Sequence, residues 1–258
     1  MKTHFICFMF AICGAYSALA DNFYWTGAAP DDGNNFWNAA NWVVGSVDGP
    51  VASRYPEDND FYDDLYFTDH PGLVNKTVSG WSQTHTVNII NSVGWDLDFG
   101  FLSWGFTSSG NGTNNVKGWC KTAGGGMWST VEDGNTIVFS TSFCVEGNQG
   151  LYISGSGTII FSDTPYAAWG WSYITLHHGS LVRVENPKPM DNMSVYMSHK
   201  DSRYQYMNTV ANAEWLIEVG YFVDNFNRKG FTLSARDIGD GYVEIYFKPP
   251  PFTLLVVK

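Results

Sequence analysis

Gly150-Leu-Tyr-Ile-Ser-Gly155-Ser-Gly157-Thr-Ile-Ile-Phe161 and, after a variable loop through Trp171, Tyr173-Ile-Thr-Leu-His-His-Gly179-Ser-Leu-Val-Arg-Val-Glu185-Asn186 are two copies of one arrangement, a pair of short strands hinged by glycine. Within each strand the apolar residues alternate, and a period of two marks a strand with one buried face. Gly155, Gly157 and Gly179 allow tight corners with positive φ. Short strands turned through such corners lie on successive faces of a coil. Stacked coils then bury a core that no single coil could bury alone, which is the logic of a solenoid.

The same texture extends in both directions. Strands are expected at 86–90, 136–140, 151–154, 157–161, 173–177, 180–185, 194–197, 215–219, 231–235 and 242–247, with Ile137/Phe139 and Val182/Val184 showing the alternation. No stretch has convincing helical periodicity. Residues 208–218 suit a short helix, but 215–219 alternates equally well. Aromatics make up 17% of the chain and Gly is abundant at 27 residues, while charged residues are only 15%. Aromatic and β-branched residues favour strands, and glycine favours turns. The chain therefore reads as all-β.

Residues 1–20 read as a secretory signal: Lys2, an apolar run from Phe5 to about Ala15, and Ala18-Leu19-Ala20 as the cleavage site, leaving Asp21 first. The roughly 238 residues that follow suffice for one large all-β domain. No later apolar run has the roughly 18 residues of a membrane helix. The expected setting is secreted or cell-surface. The formal charge of −11 repels phosphate backbones and argues against a nucleic-acid partner. Beyond Cys7 and Cys13, which leave with the signal, the cysteines are Cys120 and Cys144. In an oxidising compartment such a pair is expected to form a disulfide. The loop it closes, roughly 25 residues, would add about 3 kcal/mol.

At Gly155-x-Gly157-Thr158-Ile159-x-Phe161, followed by Ile174-Thr175 and Gly179-x-Leu181 with Val184, the chain resembles the autotransporter-associated β-strand repeat of exported bacterial proteins. Trp25-Thr26-Gly27, Trp37, Asn41-Trp42, Pro56 and Leu65-Tyr66-Phe67 resemble the opening module of the same proteins. The resemblance implies a right-handed parallel β-helix and export. It also implies a Trp-rich N-terminal capping module over residues 21–83, with the solenoid body over 84–258. Only one repeat copy is evident, and no membrane barrel follows it.

Four tryptophans, Trp95, Trp104, Trp119 and Trp128, sit among Gly, Ser and Asn in what reads as loop. Exposed aromatics invite a ligand, and flat indoles stack on sugar rings. These four are the candidate carbohydrate contacts, with packing as the competing reading. Glu57, Asp58 and Asp60 supply oxygens of the kind calcium takes, but without EF-hand spacing, so a solvated acidic turn competes. His177 and His178 are expected to face opposite sides of one strand, a poor geometry for a shared metal. No nucleophile elbow, phosphate loop or zinc-protease motif is present. Arg183 with Glu185, and Arg236 with Asp237 and Asp240, are the only groupings that suggest polysaccharide cleavage. The expected function is a non-enzymatic exported or cell-surface solenoid with a structural or adhesive role. Carbohydrate binding or cleavage, and self-assembly into filaments, are the alternatives.

Overall fold

The structure is a computed structural model, and it describes residues 21–56, 63–188 and 192–250. The expected signal and the calcium candidates Glu57, Asp58 and Asp60 lie outside the described residues. The described chain opens with β1 (Asn22–Trp25), β2 (Trp42–Val44) and β3 (Asp64–Thr68), then two long strands, β4 (Thr77–Ile90) and β5 (Asp96–Ser108). Next come β6 (Gly112–Val116), β7 (Cys120–Thr122), β8 (Met127–Val131), β9 (Asn135–Phe139), β10 (Phe143–Val145) and β11 (Gly150–Ser154). They are followed by β12 (Thr158–Asp163), β13 (Tyr166–Ala167), β14 (Ser172–Leu176), β15 (Leu181–Asn186), β16 (Met193–Met197) and β17 (Arg203–Met207). Helix α1 (Val210–Glu218), β18 (Phe222–Asp224), β19 (Thr232–Gly239) and β20 (Tyr242–Lys248) complete the described chain.

These strands stack as a parallel solenoid of about six turns. One face runs β6–β9–β12–β15–β17, a second β7–β10–β13, and a third β8–β11–β14–β16–β18. Strands β4 and β5 pass through all three faces, since β5 pairs in turn with β6, β7 and β8. The domain boundary expected at 83/84 falls inside β4. Parallel neighbours lie about 4.8 Å apart, so each inward residue stacks on its equivalent. Ile137, Ile159, Val182 and Tyr204 form one such column, and Phe139, Phe161, Val184 and Tyr206 another. A third is Leu151, Ile174, Val195 and Phe222. All of these residues belong to the buried core.

The two ends differ. At the first, Trp25, Phe36 and Trp42 are fully buried and meet edge-on, with centroids 4.9 Å and 5.1 Å apart, and Phe36 stacks on Phe99 at 4.7 Å. Trp37, expected to pack there with Trp25 and Trp42, is instead 51% exposed. At the other end the hairpin β19–β20 lays β20 antiparallel on β17, which ends the parallel stacking on that face. The strand expected at 215–219 is instead the last turn of α1 and its C-cap, Val219. Thr209 caps this helix by accepting from the Asn212 amide at 3.3 Å, a local bond that outweighs the alternation of 215–219.

The expected disulfide is also corrected. Both cysteines are buried free thiols. Register sets Cys120 opposite Phe143 and Cys144 opposite Lys121. A one-residue offset turns the two side chains to opposite faces of the sheet, so Cys120 joins the core while Cys144 faces outward beneath Tyr166. Burial pushes both thiols above their ordinary pKa, Cys120 the further of the two. Alkylation under denaturing, non-reducing conditions, read by mass spectrometry, should therefore label both Cys120 and Cys144. Phe161 is fully buried, stacked on Phe139 at 5.3 Å and edge-on to Phe143 at 5.4 Å. Phe161→Ala should cost about 3–5 kcal/mol in urea unfolding.

Candidate functional site

The third face carries a ladder of aromatic side chains on its outer surface. Outward residues of successive strands align by register just as inward ones do. Trp128 sits beside Tyr152, Tyr152 beside Thr175, and Thr175 beside Tyr196. One position earlier on each strand's outer face, Tyr173 sits beside Gly150. Trp128 stacks on Tyr152 with centroids 4.2 Å apart and planes 10° off parallel. Tyr173 then meets Tyr152 and Tyr196 edge-on, each at 5.7 Å.

Glycines make room for this ladder. A Cβ on Gly150 would stand 2.3 Å from the Tyr173 ring, and one on Gly126 would stand 3.2 Å from the Tyr152 ring. Gly150 has no positive φ, so what it supplies is space: the Tyr173 ring lies down across a bare stretch of backbone. On the preceding rung Gly105 is the register partner of Trp128. No side chain at that position rises against the indole, and Trp128 stays 61% exposed.

The ladder borders an open groove of about 350 Å³, lined by Trp128, Tyr152, Tyr173, Thr175, His177, Tyr196 and Asn225. The Tyr152 and Tyr173 hydroxyls share a 2.5 Å hydrogen bond. That bond, reinforced by burial, pushes the Tyr173 phenol up to about 12. Asn225 donates to Ser198 at 3.0 Å, which leaves its carbonyl oxygen directed elsewhere. His177 lies nearly parallel to the Trp128 ring at 6.4 Å. Partial burial, and His178 beside it, hold its pKa below the ordinary histidine value. At neutral pH the imidazole is uncharged, and among the described residues no Asp, Glu, Lys or Arg lines the groove. The surface thus offers flat apolar faces edged by neutral hydroxyl, amide and imidazole groups.

Of the four tryptophans expected to meet a ligand, only Trp128 lies in this groove. Trp95 is fully buried, packed on Phe67 and donating to Ser92 at 2.8 Å, so no ligand can reach it. Trp104 is half-buried, with its indole donating to the Gly124 carbonyl at 2.6 Å. Trp119 is 41% exposed but precedes β7 on the second face, where it donates to the Tyr166 hydroxyl at 3.3 Å. Trp104 and Trp128 belong to strands, not loops. Sequence reasoning missed Tyr152, Tyr173 and Tyr196, whose signal was their shared outward parity on aligned strands.

The histidine pair departs from expectation as well. Strand β14 ends at Leu176 and His178 takes φ 51°, so alternation stops and the two rings stand on one side, 6.0 Å apart. His199 continues the row at 6.1 Å from His178. Among the described residues no group of three His, Cys, Asp or Glu side chains converges to hold a metal. The acids near the calcium candidates are paired: Asp63 with Arg54 at 2.7 Å, Asp64 with His85 at 2.9 Å, and Asp69 with Lys76 at 2.6 Å. The groupings that suggested cleavage are engaged too. Arg183 lies over the Tyr242 ring at 3.9 Å, Arg236 binds Glu244, and Asp237 accepts from the Gly239 amide at 2.8 Å.

Neither a scan against protein-family models nor searches of curated proteins and solved structures found a match. The resemblance to the autotransporter-associated repeat therefore rests on the quoted residues alone. The groove's geometry gives a direct test. Gly150→Ala should displace the Tyr173 ring and lower its pKa toward the ordinary tyrosine value in a spectrophotometric titration. Because a side chain yields rather than backbone, the melting temperature should fall by less than about 4 °C.

Proposed function

We propose that this chain is a non-enzymatic adhesive β-solenoid that acts outside the cell and binds neutral carbohydrate along the outer groove of its third face. The observation that carries the reading is the ladder Trp128–Tyr152–Tyr173–Tyr196, a row of ring faces and edges held at rung spacing on a rigid sheet. A sugar ring offers one face of C–H groups, which pack on an aromatic face, and a rim of hydroxyls, which both donate and accept. The groove supplies partners for each: the exposed indole of Trp128 for the face, and Tyr196, Thr175, His177 and Asn225 for the rim. Sites on rigid elements pre-organise their contacts and so reduce the entropy lost on binding.

Charge selects within that class. The groove is uncharged and the chain carries −11, so long-range repulsion disfavours polyanionic glycans. Glycosidic hydrolysis needs a pair of carboxylates across the scissile bond, and among the described residues none lines the groove. Binding is therefore the better reading than cleavage. The signal-like residues 1–20 and the repeat resemblance support an exported setting for it.

The test is isothermal titration of residues 21–258 with neutral oligosaccharides of glucose, mannose and galactose. Trp128→Ala should weaken binding at least about tenfold, equivalent to ~1.4 kcal/mol. Trp215→Ala, at an exposed tryptophan of α1 that does not line the groove, should change nothing. Equal affinity in wild type and Trp128→Ala would refute the groove as the binding surface.

A further inference from the structure

A second hollow, of about 410 Å³, opens at the N-terminal end of the solenoid between the loop before β2 and the start of β4 and β5. It is lined by Asp32, Asn34, Asn35, Trp37, Ser79, Trp81 and Asp98, with the backbone of Gly80. Its walls are built, not incidental. The fully buried Asn41 donates to the carbonyls of Asp32 and Asn35 at 2.7 and 2.9 Å and accepts from Ala29 at 2.8 Å, which fixes the loop carrying Asp32 to Trp37. Backbone bonds from Phe36 to Ser79 at 2.9 Å and from Ser79 to Asn34 at 2.7 Å clamp that loop onto β4. Gly80 permits the clamp: a Cβ there would stand 2.5 Å from that of Phe36.

On this frame the two indoles are presented differently. Trp37 is 51% exposed. Trp81 lies across Gly100, whose added Cβ would stand 2.7 Å from its ring. That is the device that seats Tyr173 on Gly150, used again on another part of the sheet. Among the described residues the side chains of Asn34, Ser79 and Asp98 take no hydrogen bond, and neither Asp32 nor Asp98 has a cation partner. Asp98 can only accept, so its complement is a donor, and a pair of neighbouring hydroxyls fits its two oxygens. The Asn34 amide and the Ser79 hydroxyl both donate and accept.

We infer that this hollow is a second carbohydrate site, for a neutral sugar with adjacent hydroxyls, held between Trp37 and Trp81 and oriented by Asp98, Asn34 and Ser79. It shares a ligand class with the groove, but its residues and its place in the fold are separate, and either site can stand without the other. Two sites on one rigid solenoid make the chain bivalent, able to bridge two glycans or to hold one long glycan at two points with the gain in avidity that linkage brings.

The experiment titrates four proteins calorimetrically with the same neutral oligosaccharides: wild type, Trp128→Ala, Trp128→Ala/Trp37→Ala and Trp128→Ala/Asp98→Asn. The expected result is two sites per chain in wild type and one in Trp128→Ala. That remaining site should be lost with Trp37→Ala and weakened about tenfold or more with Asp98→Asn, the loss of a charge-assisted hydrogen bond. Asp98 is exposed, so its conservative substitution keeps the fold and guards against misreading an unfolded Trp37 variant. A silent Trp128→Ala protein alongside a binding wild type would overturn the second site and leave the groove intact. Binding unchanged by Trp128→Ala but abolished in Trp128→Ala/Trp37→Ala would do the reverse. Silence in all four, or binding of choline in place of sugar by the Trp128→Ala protein, would also overturn the assignment.

Discussion

Register between parallel rungs is the constraint on which the rest of the molecule depends. Once strands from successive turns pair in parallel without offset, every residue has a partner of the same orientation about 4.8 Å above and below it. Inside, that requirement selects apolar side chains that tolerate self-stacking, as in the columns through Phe139–Phe161–Val184 and Ile137–Ile159–Val182. Long-range pairing of this kind also explains why the fold ends as it does. An unpaired parallel edge is a template for further strands, and the antiparallel hairpin β19–β20 covers β17 with a strand of opposite sense.

The same register acts outward, where it has chemical consequences. Large rings at a 4.8 Å repeat can stack face to face, as Trp128 and Tyr152 do. The chain stops that column after two rings with Thr175 and sets Tyr173 one outward position aside, over Gly150. The alternation of ring and glycine thus turns a repetitive surface into a shaped one. Where it recurs, with Trp81 over Gly100, the neighbouring loop is held by the buried amide of Asn41, and a hollow results in place of a groove. Glycine here acts mainly by absence of volume, a different role from its service at positive φ in corners such as Gly155 and Gly179.

Errors in reading the sequence have identifiable physical sources. Trp95 does lie in the loop before β5, but its indole enters the core and donates to Ser92, so a loop position did not mean exposure. Strand β5 passed unseen because Gly100 and Gly105 interrupt its alternation, and both glycines serve neighbouring rungs. Cys120 and Cys144 are spaced plausibly for a bridge, but a one-residue offset in register, invisible in one dimension, sends them to opposite sides of the sheet. Helix α1 follows a pattern that read equally as strand along the chain, and it is capped by Thr209 and packs Ala213, Leu216 and Ile217 on the core.

What the sequence determined by itself was the local part: strands from a period of two, corners from glycine, and hence an all-β chain that must stack to bury its core. Those are properties of neighbouring residues, and neighbours along the chain are enough to express them. What only the tertiary structure decided was which turn lies on which, because register between turns is a relation between residues about twenty or more positions apart. That relation brings Trp128, Tyr152, Tyr173 and Tyr196 into one ladder, puts Trp37 and Trp81 on the walls of one hollow, and buries Trp95. The candidate sites belong to the stack, since each is assembled from side chains that no single turn contains.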